Sequence, residues 1–244
     1  MARVDLSIIM PAFNEGDALK VTLPELHNYL KSLPYSFELI VGDDGSTDDT
    51  KQVVTAFAKK HKNVRYVGYP VNKGKGHALS IAFATAKGTM HGFIDADLSI
   101  DKTLIAEEIE LLKQADIVIA SKHARGAKIA YPFARTCASY GFSLMTRMML
   151  GLPVSDPQCG CKMFKASVLK AVLPLVKMKG FLWDTEVLVR AYRKHYNIQE
   201  IPARVKADTR KSKVRVFRDT WRMWSGLLAL KRQLHEEMAP KSRY

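Results

Sequence analysis

A chain of 244 residues with 47% hydrophobic and 25% charged side chains can bury one substantial core, and its composition excludes a disordered or fibrous class. No apolar run approaches the length of about 18 residues that a membrane-spanning helix needs; Thr136 to Leu150 comes nearest and carries Arg147, so no transmembrane helix is predicted. The formal net charge of +14 points to phosphorylated substrates, anionic lipid or nucleic acid, and Pro202 to Tyr244 alone holds twelve Lys and Arg against four Asp and Glu, a net +8.

The opening Met1-Ala2-Arg3-Val4-Asp5 leads directly into a strand pattern rather than a secretory signal. Short β-branched runs then alternate with amphipathic stretches, the pattern of successive β-α units around a mostly parallel sheet. The predicted strands are Leu6 to Met10, Phe37 to Val41, Val64 to Val67, Met90 to Ile94 and Ile117 to Ala120. The predicted helices between them are Pro24 to Leu33, Asp48 to Lys60, His77 to Lys87 and Thr103 to Gln114, with Ser46-Thr47-Asp48 and Asp101-Lys102-Thr103 as start signals. After Ser121 the alternation stops. A Met- and aromatic-rich helical stretch, Tyr131 to Leu150, precedes the turn Gly151-Leu152-Pro153 and the loop Asp156 to Lys162. Helices at Ala166 to Val176 and Asp184 to His195, a strand at Ile198 to Val205 and an amphipathic helix from Phe217 to about Met238 complete the chain. Cys137, Cys159 and Cys161 fit neither a disulfide framework nor a zinc knuckle, so reduced thiols in the cytosol are expected.

Ligands of open parallel sheets bind beyond the carboxyl ends of the strands, and here those ends are polar: Pro11 to Glu15, Asp43 to Asp48 and Asp95 to Ser99. Period-two alternation would place Asp95 and Asp97 on one side of an extended segment. Two adjacent carboxylates repel unless a cation lies between them or one is protonated, and hard oxygen ligands suit Mg2+ or Mn2+. The competing reading of the pair is a helix cap with a solvated partner. Asn72-Lys73-Gly74-Lys75-Gly76-His77 opens a helix where backbone N–H groups can meet an anion, although it matches neither a P-loop nor the dinucleotide fingerprint, and a plain glycine turn reads equally well.

Taken in order, these motifs resemble the family-2 inverting glycosyltransferases of the GT-A fold, over nearly the whole chain, and within them the polyprenyl-phosphate glycosyltransferases of the dolichyl-phosphate glucosyltransferase branch. The residues that carry the resemblance are Pro11 to Glu15, Asp43 to Asp48, Asn72 to Gly76, Asp95 to Asp97, Arg135-Thr136, Tyr140-Gly141-Phe142, Asp156 to Lys162 and Trp183 to Glu186. The resemblance implies an α/β, Rossmann-like fold with a mostly parallel central sheet flanked by helices and amphipathic helices at the C-terminus. It implies a glycosyltransferase domain over residues 1–216, with a nucleotide-sugar half to residue 121 and an acceptor half after it, followed by a basic helix over 217–244. Pro11, Phe13, Glu15 and Asp44 become nucleoside contacts with Asp43 close by, and Lys75, Asp95 and Ala96 lie at the donor. Asp95, Asp97 and Ser99 become the ligands of Mg2+ or Mn2+. Lys122, Arg135, Lys162 and Lys213 become basic residues near a donor or acceptor phosphate, with Asp97, Arg135 and Lys162 as the catalytic set. Pro157 and Cys161 depart from the pattern, where Thr and Phe are usual.

The expected reaction moves a hexose, glucose from UDP-glucose by this reading, to a polyprenyl phosphate. A lipid phosphate is already anionic and needs no general base, whereas a saccharide or protein hydroxyl acceptor would call on Asp184 or Glu186, which otherwise cap a helix. The final helix carries Phe217, Trp221, Trp224 and Leu228 on one face with Arg218, Arg222, Lys231 and Arg232 beside it, which suits an anionic membrane surface, or else packing onto the core. The expected location is the cytoplasmic face of a membrane, held peripherally. A nucleic-acid-binding module is disfavoured, because the basic surface lacks a recognisable motif with interleaved aromatics.

Overall fold

The computed structural model describes residues 4–129, 133–206 and 216–237, with the side chains of 133–138 and 216–223 outside the description. A seven-stranded sheet orders its strands β3-β2-β1-β4-β7-β5-β8. Five of these lie where the sequence places them: β1 (Leu6–Ala12), β2 (Phe37–Asp43), β3 (Val64–Gly68), β4 (Met90–Ile94) and β5 (Ile117–Ser121). Every residue of β1 is buried, as the continuous apolar run of a central parallel strand requires.

The strand β7 (Cys161–Lys165) has no counterpart among the predicted elements. It runs antiparallel between β4 and β5, pairing Phe93 with Lys162 and Ile119 with Lys162. The predicted strand at Ile198 to Val205 is two pieces, β8 (Ile198–Pro202) at the sheet edge and β9 (Arg204–Val205), which pairs with β6 (Lys128–Ile129) in a small second sheet.

Helices cover both faces. The helices α1 (Gly16–Lys31), α2 (Thr50–Lys60) and α4 (Leu104–Leu111) close one core around Ile8, Met10, Val41 and Met163. On the other face, α3 (Lys75–Ala84), α5 (Phe133–Leu150), α6 (Ala166–Val172), α7 (Trp183–Arg193) and α8 (Val216–Glu236) enclose Ile9, Ile40, Phe93, Phe164 and Trp183. The first helix begins at Gly16 rather than Pro24, which lies inside it. An interior proline costs about 3 kcal/mol, but Leu19, Leu23, Leu26 and Leu30 are fully buried along the helix, at about 1.5–3 kcal/mol each. Packing outweighs the break.

The final helix buries Leu227, Leu230 and Leu234 against the domain and leaves Trp224 and Leu228 exposed. The face predicted from the sequence is thus, in its described half, a different face from the one that meets the core. Among the described residues no helix is long and apolar enough to cross a membrane.

Candidate active site

The ends of β1 and β2 are laced together by side chains. Asn14 holds a left-handed backbone (φ 53°); its N–H donates to Ser46 Oγ at 2.8 Å and its Oδ1 accepts from the Thr47 N–H at 2.8 Å. Asp43 and Asp44 are buried and bonded inward. Asp43 accepts from Ser46 N–H (3.0 Å) and the Tyr66 hydroxyl (2.7 Å). Asp44 accepts from the Tyr69 hydroxyl (2.6 Å) and from the N–H groups of Lys73 (2.8 Å) and Gly74 (2.9 Å). Burial and then the adjoining carboxylate push both phenols above the usual tyrosine pKa, which keeps them donors. The anion that meets the N–H groups ahead of α3 is therefore the protein's own Asp44. Gly74, at φ 105°, takes a backbone conformation that other residues resist. In front of these carboxylates, Pro11 is buried, Glu15 is half-buried and Phe13 is exposed.

At the end of β4 the chain does not stay extended. Asp95 to Leu98 forms a turn closed by Leu98 N–H to Asp95 O (3.0 Å), with Leu98 at φ 49°. The turn, not strand alternation, brings Asp95 and Asp97 to one cavity, which corrects the period-two expectation. Ala96 is buried and its carbonyl accepts from Thr22 Oγ1 at 2.7 Å, while Asp97 Oδ1 accepts from the Ser99 N–H at 2.9 Å. Gly160 backs Asp95, where a Cβ would lie 1.9 Å from its Oδ2, so a side chain at 160 would expel the carboxylate.

The cavity has a volume of about 240 Å³. Lys75, Asp95, Asp97, Ser99, Lys122, Gln158 and Asp184 form its polar lining, with Ile100, Ile129 and Phe181 as apolar members and His123 and Ser139 between. Lys75 donates to Asp95 Oδ1 at 2.7 Å. Lys122 lies 3.2 Å from Asp156 Oδ2, which also accepts the Lys122 N–H at 2.9 Å. Glu200 on β8 in turn accepts the Ser155 and Asp156 N–H groups at 3.0 and 3.2 Å, so the loop that orients Lys122 is fixed from the sheet edge.

Lys162 is fully buried and does not line the cavity. Its ammonium donates to the Cys159 carbonyl and to Asp184 Oδ1 (3.0 Å) and stands 5.1 Å from the Phe93 ring. This corrects the expectation that Lys162 grips a phosphate: it sits behind the lining and fixes Asp184. The Phe93 ring also lies 5.1 Å from the Lys75 ammonium, so one aromatic side chain contacts both cations. The preceding residue, Trp183, is fully buried and its Nε1–H donates to Ser80 at 2.7 Å, which anchors the start of α7. Glu186 is structural. It is fully buried and accepts from the Lys177 (2.9 Å) and Met178 (2.7 Å) N–H groups and Arg190 Nε (2.8 Å).

Five of the predicted site residues, Lys75, Asp95, Asp97, Ser99 and Lys122, therefore meet in one cavity, and Pro11, Phe13, Glu15, Asp43 and Asp44 do not line it. Arg135 lies within α5 but its side chain is outside the described residues, as is the whole of Lys213. Sequence reading missed Gln158 and the pairing of Asp184 with Lys162, because contacts between residues 22 apart leave no local pattern. Among the described residues no group of three or more His, Cys, Asp or Glu side chains could cage a metal. The donor set is instead two carboxylates and a hydroxyl facing open volume, which fits Mg2+ or Mn2+ completing its shell with water and substrate phosphate, and does not fit a closed zinc site.

The chain is 30% identical over 235 residues to the glycosyltransferase AglD of Haloferax volcanii, covering 93% of this chain and 37% of that protein. It is 32% identical over 212 residues to the dolichyl-phosphate beta-glucosyltransferase ALG5A of Trichomonas vaginalis, covering 82% of this chain and 65% of that one. The chain thus spans less than two thirds of the length of either relative. The fold is similar to that of glucosyl-3-phosphoglycerate synthase from Mycobacterium tuberculosis, solved with Mn2+, UDP-glucose and phosphoglyceric acid, at a TM-score of 0.70 and 20% identity over 93% of this chain and 80% of that one. Residues 7–173 match the family model for glycosyl transferase family 2. The chain belongs to glycosyl transferase family 2.

Proposed function

We propose that the chain transfers a hexose, glucose from UDP-glucose, with inversion to a polyprenyl phosphate such as dolichyl phosphate. The observation that carries this reading is the state of Asp184, the cavity carboxylate that a hydroxyl acceptor would require as base. Its Oδ1 is engaged by the buried Lys162 ammonium at 3.0 Å, so that oxygen is paired with a fixed charge. A phosphate acceptor needs no base, only positioning and charge neutralisation.

In this reading the donor lies across the carboxyl ends of β1, β2 and β4. The nucleoside occupies the side of Pro11, Phe13 and Glu15, with Asp43 and Asp44 shaping the wall behind, and the diphosphate reaches Asp95, Asp97 and Ser99. A divalent cation, Mg2+ or Mn2+, held there by Asp95 and Asp97, would neutralise charge on the departing diphosphate. Burial works against the charge on Lys75, but Asp95 and Asp184 more than offset it, so the ammonium stays protonated and supplies a second positive charge to the leaving group. Lys122, oriented by Asp156, and Arg135 and Lys213 are assigned to the acceptor phosphate. Residues 1–121 would then serve the donor and 122–216 the acceptor. The basic helix, with Trp224, Leu228, Lys231 and Arg232 exposed, is assigned to an anionic membrane surface. The free, buried thiols of Cys159 and Cys161 suit the cytoplasmic face of such a membrane.

The test is a panel in which UDP- and GDP-sugars are offered with a polyprenyl phosphate, a free saccharide and a peptide hydroxyl, each with Mn2+ or Mg2+. The reading expects a lipid-linked β-hexose from an α-linked donor. Transfer confined to hydroxyl acceptors would overturn it.

A further inference from the structure

An apolar stripe on α5 adjoins the cavity at His123. Ser139 lines the cavity with its hydroxyl 3.3 Å from His123 Nε2, and the next residue, Tyr140, sets its ring edge-on to the same His123 at 5.3 Å between centroids. From Tyr140 the helix exposes Leu144 and Met148 in turn, with relative exposures of 58%, 45% and 72%. A spacing of four keeps these side chains on one side of a helix. The opposite face accounts for the helix's packing, since Ser143, Thr146 and Leu150 are buried and Phe142, Met145 and Met149 pack on the core. The stripe is therefore additional to the packing face. It runs about 12 Å along the helix from Tyr140 to Met148, at the usual rise per residue.

Its position relative to the cavity decides what it fits. Charged Asp95, Asp97, Lys75 and Lys122 and apolar Phe181, Ile100 and Ile129 line the cavity together, and the stripe continues the apolar surface from His123. A molecule complementary to that sequence of surfaces has a phosphate head and a hydrocarbon tail. We propose that Tyr140, Leu144 and Met148 form the track for the first isoprene units of the acceptor, so that the protein reads the acceptor's tail as well as its phosphate. The inference rests on the polyprenyl-phosphate reading and adds to it a protein-bound tail segment, distinct from docking on the bilayer.

The experiment uses soluble acceptors without vesicles or micelles: isopentenyl phosphate as the short acceptor and farnesyl phosphate as the longer one. Leu144→Glu and Met148→Glu are compared with the parent and with the apolar replacements Leu144→Ile and Met148→Leu. The expected result is a rise of about tenfold in KM for farnesyl phosphate in each Glu variant, with isopentenyl phosphate kinetics as in the parent and recovery in the apolar replacements. Equal effects on both acceptors, or none on either, would overturn the track. In a parallel assay with the acceptor in vesicles, a defect seen there alone would overturn it and make the stripe a bilayer contact, as would a change in oligomeric state of the variants on gel filtration, which would make it a contact between copies. Parent protein inactive with both phosphates overturns the acceptor reading itself, a result separable from active parent with unaffected variants.

Discussion

The Lys75 ammonium donates to the Asp95 carboxylate across 2.7 Å, joining the first residue of α3 to the residue that follows β4. Gly160 leaves room for the Asp95 carboxylate, and Gly74 lets the start of α3 approach the backbone of Lys179 and Gly180, where a Cβ would lie 2.5 Å from the Lys179 carbonyl oxygen. Both partners retain access to solvent, at 18% and 37%, so the pair contributes little to stability, about 0–1 kcal/mol. Lys75→Met should therefore lower affinity for UDP with Mn2+ about tenfold, while moving Tm by no more than about 2–4 °C. Titration calorimetry beside a thermal melt checks both. Unchanged UDP affinity would remove Lys75 from the donor site.

Lys162 and Asp184 behave differently, since Lys162 is wholly buried and Asp184 is exposed to only 3% where it meets the cavity. Breaking such a pair strands a buried charge at a cost of about 3–5 kcal/mol. Lys162→Met is expected to lose that much in urea denaturation, and the double variant with Asp184→Asn should regain part of it, because no charge is then left alone. A Lys162→Met protein as stable as the parent, with only the acceptor KM raised, would restore Lys162 to the phosphate grip that its sequence position implied.

Glu108 gives a pH signature. It is fully buried beside Cys161, whose Sγ lies 3.4 Å from Oε2, and burial pushes its pKa from the ordinary 4.5 up to about 8. A raised folded-state pKa means that the native protein holds a proton that the unfolded chain has lost. Its contribution is thus fully present below about pH 4.5 and is lost as the pH rises towards 8, with a slope of at most about 1.4 kcal/mol per pH unit. Glu108→Gln should remove this decline, so that the variant gains on the parent between those two values. Denaturation midpoints of both proteins across that range measure it, and a constant difference would contradict the assignment.

How far the sequence reveals the site depends on the range of the contacts involved. The first five strands are legible because Ile8, Ile40, Val64, Phe93 and Val118 sit in short apolar runs, several of them ended by acidic loops. Convergence of the Asp95 and Asp97 loop with Lys75 and Lys122 follows from parallel topology, which puts the carboxyl ends of strands on one edge. The strand β7 is hidden because Cys161-Lys162-Met163-Phe164-Lys165 mixes two lysines with apolar residues and reads as a half-exposed loop, although Lys162 is wholly buried. Nothing local announces that Asp184 neutralises it. Similarly, Asp43 and Asp44 read as ligands, while Tyr66, Tyr69 and the Lys73 and Gly74 amides claim their oxygens from 23 to 30 residues away. Pro24 obscures the start of α1, a local signal overridden by four buried leucines.

The most direct measurement is glucose transfer from UDP-glucose to a polyprenyl phosphate in the presence of Mn2+, run on the parent and on Asp97→Ala together. Asp97 sits half-buried in a turn at the cavity, so its truncation should leave the melt intact. The expected result is lipid-linked glucose from the parent, abolished by excess chelator, and a rate lower by at least about 100-fold in Asp97→Ala, the scale for losing an electrostatic element of the transition state. A parent that makes no lipid-linked product with any donor, or an Asp97→Ala protein that retains the parent's rate, would contradict it.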